Sequence, residues 1–112
     1  MKKRIDLLRN LVGFESNLDN IKEDLAVYSW DSEQPLLNMS KADFSKILDL
    51  SISNKISLDD LVHWANLIEN REDLGFETEE LQEFIFELAN PEINGDITKE
   101  RLMKMLELIS LK

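Results

Sequence analysis

Cysteine is absent from this chain, and histidine occurs once, as His63, among 112 residues. Without thiols there is no disulfide framework and no thiolate chemistry, which suits a reducing cytosol. A zinc centre needs three or four His, Cys or carboxylate ligands, so one histidine without cysteine is a poor start. Three glycines and two prolines are too few for the many turns of an all-β fold. No phosphate-cradling glycine loop and no Gly-x-Ser-x-Gly elbow occurs. No window approaches the ~20 apolar residues of a membrane span. The basic start, Met-Lys-Lys-Arg, leads into "IDLLRNLVGFES", where Asp6 and Arg9 interrupt the apolar run that a signal peptide requires. These absences predict a soluble, cytoplasmic protein that is not an enzyme and carries no cofactor and no metal.

Positive charge is the other shortage. Thirteen Lys and Arg face 23 Asp and Glu, for a net charge of −10. Proteins bind phosphate backbones through Lys and Arg that displace counterions, so direct binding to nucleic acid is not expected. A basic protein, by contrast, is attracted to such a chain. Acidity also keeps cytosolic proteins soluble, so net charge alone does not separate a docking face from a solvated one.

What the chain has in quantity is helical periodicity. Its 43% apolar content is enough for one modest core, and its length for one domain. Ile5, Leu8 and Val12 mark a first helix, and Leu18, Ile21, Leu25 and Tyr28 a second that stops before Pro35. Ser40 with Asp43 forms a variant capping box ahead of Phe44, Ile47 and Leu48. Ser57 and Asp60 repeat that signature before Leu61, Ala65 and Ile68, with Trp64 read as core. Thr78 caps a fifth helix carrying Leu81, Phe84, Ile85 and Leu88, and Thr98 a sixth carrying Leu102, Met105, Leu106 and Ile109. "SISNKIS" alternates too briefly for a strand and reads as a connector. The expected fold is all-α, a single-domain bundle of five or six short helices with short connections.

Two candidate sites dissolve on inspection. "NPEINGDITKER", residues 90–101, has the outline of a calcium loop, with Gly95 at the sixth position and Ile97 at the eighth. The first position is Asn90, however, and the twelfth, where a bidentate Glu should stand, is Arg101, which donates and cannot coordinate a cation. The simpler reading is a corner: Pro91 stops the fifth helix, Asn94-Gly95 makes the turn, and Ile97 packs before the Thr98 cap. His63 lies one helical turn after Asp59 and reads as a surface His–Asp pair.

The charge is concentrated. From Glu69 to Glu87 there are eight acids, namely Glu69, Glu72, Asp73, Glu77, Glu79, Glu80, Glu83 and Glu87, against Arg71 alone. On a helical wheel Leu81, Phe84, Ile85, Leu88 and Ala89 share one side, and Glu79, Glu80, Glu83 and Glu87 the other. Like charges one turn apart each cost roughly 0.2–0.5 kcal/mol, a small penalty for such a face. Phe86 falls off the core stripe beside these acids. Trp30 lies opposite Ile21 and Leu25, next to Asp31 and Glu33. Aromatics among charges are the composition of an interface anchor, although aromatics also cover helix ends. The candidate partner-binding set is therefore Asp73, Glu77, Glu79, Glu80, Glu83, Phe86, Glu87 and Trp30.

The stretches "LVHWANLIENREDLGFE" (61–77) and "EFIFELANPEING" (83–95) resemble the small acidic immunity proteins encoded beside bacterial polymorphic toxins, including those of contact-dependent growth inhibition and colicin-like systems. The similar pattern is Trp64-Ala65, Ile68-Glu69, Arg71, Asp73, Phe76-Glu77, then Leu88-Ala89-Asn90-Pro91-Glu92 and Asn94-Gly95. Elsewhere the likeness is one of size, acidity and helicity. The immunity proteins of nuclease colicins are shorter four-helix proteins with a paired-tyrosine contact motif, whereas the only tyrosine here is Tyr28. Their binding residues therefore do not carry over. The resemblance implies a class of function: binding one cognate toxin domain, often a basic nuclease, and blocking it in the producer's cytoplasm. The alternative from the charge pattern is an acidic nucleic-acid mimic or regulatory adaptor that binds a basic protein.

Overall fold

Short polar caps set where most of the helices begin. In the computed structural model, which describes residues 3–14, 17–28, 34–69 and 71–110, α1 spans Arg4–Gly13 and α2 Leu18–Leu25. Asn17 caps α2 through Oδ1, which accepts the amides of Asp19 and Asn20. Strand β1 (Leu37–Met39) leads into α3 (Lys41–Ile52), where Ser40 and Asp43 form the expected reciprocal box. Ser57 and Asp60 repeat it at the start of α4 (Leu58–Glu69). Strand β2 (Leu74–Phe76) precedes α5 (Glu79–Ala89), a single turn α6 (Pro91–Asn94), and α7 (Lys99–Ser110). Thr78 Oγ1 accepts the amide of Leu81, and Thr98 Oγ1 that of Arg101. Each such cap satisfies a donor that the first helical turn leaves orphaned.

The all-helical expectation holds in outline, with three differences. Helix α2 ends at Leu25, with Ala26 as its C-cap, and so does not include Tyr28. Helix α3 runs on into the segment read as a connector, and the chain then turns at Asn54, which takes φ 63°. A short parallel ribbon, unforeseen from the sequence, pairs Leu37 with Leu74, Asn38 with Gly75 and Met39 with Phe76. Parallel pairing needs a long crossover, and α3 and α4 supply it. Gly75 leaves room there: a Cβ would push the Asn38 carboxamide aside and press the Pro35 ring at 3.0 Å.

The apolar stripes meet in one core. Phe44 of α3 stacks on Phe84 of α5 at 5.9 Å between ring centroids and lies 6.4 Å from Trp64 of α4. Helix α4 packs most extensively on α5, and α3 on α7. From α1, Leu7, Leu8 and Leu11 enter the same cluster, as do Leu102, Met105 and Ile109 from α7. No helix among the described residues is long and apolar enough to cross a membrane.

Candidate partner-binding surface

Helix α5 divides its residues as the wheel requires. Leu81, Phe84, Ile85, Leu88 and Ala89 are buried, because residues three and four apart share a face. Glu79, Gln82, Glu83 and Phe86 form the outer stripe, and Phe86 is 46% exposed. Glu80 and Glu87 sit on the flank and are half-buried. Glu87 is committed within the protein. Arg101 Nε and Nη2 each donate to its carboxylate at 2.7 Å, a bidentate clamp that ties α5 to α7. The hydrogen bonds to Glu87 raise the Arg101 pKa above its ordinary value. The same guanidinium lies 5.8 Å from the Phe84 ring centroid.

Two more of the expected contact residues turn inward or inter-element. Asp73 is fully buried. Its Oδ2 accepts Arg4 Nε and Arg71 Nη2 at 2.9 Å each, and its Oδ1 accepts Arg71 Nε at 2.9 Å. A carboxylate so held cannot meet a partner, and the assignment of Asp73 to the contact surface is corrected accordingly. It instead ties the start of α1 to the loop before β2. Glu77 Oε2 accepts the backbone amide of Lys41 at 2.7 Å, which satisfies an orphan donor at the start of α3. Trp30 lies outside the described residues. Of the expected set, Glu79, Glu83 and Phe86 are the side chains that the fold presents openly together.

The structure adds acids that the wheel of one helix could not place. Asn90 Nδ2 donates to Phe86 O at 2.8 Å and to Glu69 Oε2 at 3.2 Å, which holds the end of α4 beside the end of α5. Glu69, Glu72 and Glu79, together with Arg71, also border a depression of about 380 Å³ over Leu74, Gly75 and Phe76. The acidic surface is thus built from two helices and the β2 edge. The only clue in the sequence was the charge density of residues 69–87.

The remaining candidates resolve simply. Pro91–Asn94 is a helical turn, Gly95 takes φ 94°, and Arg101 faces Glu87 across the corner. His63 Nε2 lies 3.9 Å from Asp19 Oδ1 rather than beside Asp59, because α2 packs on α4. The described residues contain no cluster of three or more His, Asp or Glu able to hold a metal ion. Comparison with known protein families, curated proteins and solved structures finds no match.

Proposed function

We propose that this chain is a cytoplasmic immunity protein, which binds the basic catalytic domain of a cognate bacterial toxin, of nuclease type, and neutralises it. The carrying observation is the outer stripe of α5, where Phe86 stands 46% exposed one helical turn after the exposed Glu83, and its main-chain oxygen shares the Asn90 carboxamide with Glu69. An exposed aromatic ring on an acidic helix can act as the desolvated anchor while the charges steer a cationic partner toward it. Its composition supports the same reading, since a net charge of −10 favours encounter with a basic protein. The resemblance at residues 61–77 and 83–95 supplies the class of partner. An acidic nucleic-acid mimic would use similar charges, but an exposed aromatic anchor fits recognition of one protein partner better than imitation of a phosphate backbone.

Surface plasmon resonance of the full chain against the toxin domain encoded beside its gene tests this. Reversing Glu79 and Glu83 to Lys should lower the association rate and flatten its salt dependence. Phe86→Ala should act on dissociation and weaken binding about thirtyfold, or ~2 kcal/mol. The reading fails if the neighbouring toxin does not bind, or if neither change alters the kinetics.

A further inference from the structure

A second surface has the opposite electrostatic character. Packing of α1, α2 and α4 leaves a cleft of about 640 Å³, floored by Leu11, Ile21, Leu25 and Leu67. Its basic lining residues are Lys22, His63 and Arg71, and among the described residues no carboxylate lines it. That is unexpected in a chain whose 23 acids face 13 Lys and Arg. Two of the three bases are partly countered. Arg71 shares its charge with the buried Asp73, and His63 stands 3.9 Å from Asp19 Oδ1 just outside the cleft. Lys22 is exposed at the rim on α2 and carries the electrostatic argument.

We infer that this cleft binds a free amphipathic carboxylate, of the medium-chain fatty acid or arylalkanoate class. The apolar floor takes the tail, and the Lys22 ammonium meets the carboxylate at the mouth. Small-molecule sites span ~300–1,000 Å³, with mostly apolar walls and a few polar groups that fix orientation, and a chain of about ten carbons fits one of this size. Charge complementarity selects the head group: a cationic amphiphile would bring its charge against Lys22 and Arg71, which a carboxylate offsets. The inference stands on α2 and α4 and is independent of the surface on α5.

Titration of the full ¹⁵N-labelled chain with decanoate, below its micelle concentration, tests it by amide chemical shifts. The expected result is saturable shifts concentrated at Leu11, Ile21, Leu25 and His63. Lys22→Glu should weaken binding about tenfold or more, as should replacing the probe by decyltrimethylammonium, which keeps the tail and inverts the head-group charge. Ala26→Trp, made at an exposed residue of the cleft wall, should block the site while circular dichroism remains unchanged. Absence of saturable shifts, shifts centred elsewhere, or equal affinity for the two amphiphiles overturns the proposal. Equal decanoate affinity in wild type and Lys22→Glu does so too, whether or not Ala26→Trp folds.

Discussion

The indole Nε1 of Trp64 donates to the main-chain oxygen of Leu11 at 2.8 Å, in the interior and across 53 residues of sequence. This bond lets the largest side chain of the core be fully buried without an orphaned donor. It also locks the middle of α4 to the end of α1, where Phe14 adopts φ 52° and closes the helix. Trp64→Phe should cost about 2 kcal/mol through the lost hydrogen bond and the space left by the smaller ring. Urea unfolding, followed by far-UV circular dichroism, measures it as a lower midpoint at unchanged slope.

Asp73 should be among the least replaceable acids. Its neutral isostere Asn leaves two guanidiniums, those of Arg4 and Arg71, facing one uncharged amide in a buried position. Breaking such an arrangement costs on the order of 3 kcal/mol. Glu83→Lys, on the exposed face of α5, should stay within about 0.5 kcal/mol. Denaturant midpoints of the two variants, compared side by side, separate the inward acid from the outward one.

Ser51 presents the opposite case. It is 2% exposed, and its Oγ has no hydrogen-bond partner among the described residues. A buried hydroxyl without a partner is a desolvation penalty that alanine removes at little cost in volume. Ser51→Ala should stabilise the domain by about 0.5–1 kcal/mol, read as a higher thermal midpoint by differential scanning calorimetry.

The Arg101–Glu87 clamp makes a prediction about pH. The folded-state pKa of Arg101 is raised above the ordinary arginine value, chiefly by its hydrogen bonds to Glu87. The stability contributed through its titration is therefore fully present below that value and lost only as pH rises through the still higher folded pKa. The neutral range lies well below this window. Arg101 is 38% exposed, so solvent screens the pair. Arg101→Met should cost only about 0.5–1 kcal/mol, and urea midpoints should show the same loss at roughly pH 6 and pH 9.

The helices and their starts were legible because their signals are local. Ser40, Ser57, Thr78 and Thr98 each cap an amide within the first helical turn, so three residues of sequence carry the whole interaction. The burial of Leu81, Phe84, Ile85 and Leu88 follows as directly from the 3.6-residue period. The same period placed Phe86 outside the core, as the structure does. Charge counting could not tell which acids remain available, since an inward carboxylate and an outward one have the same composition.

Those assignments depended on partners distant in sequence. Arg4 reaches Asp73 across 69 residues and removes it from the surface, and Arg101 does much the same to Glu87 across the corner between α5 and α7. The ribbon between Leu37–Met39 and Leu74–Phe76 has strands of three residues, too short to show alternation, and exists only because α3 and α4 bring them side by side. Asn90 gathers Glu69 and Phe86 for the same kind of reason. Local hydrogen bonding and periodicity thus determined helical identity and the core stripe from sequence alone. The acidic surface was decided by tertiary packing, because a charge is exposed or neutralised according to what the fold sets beside it.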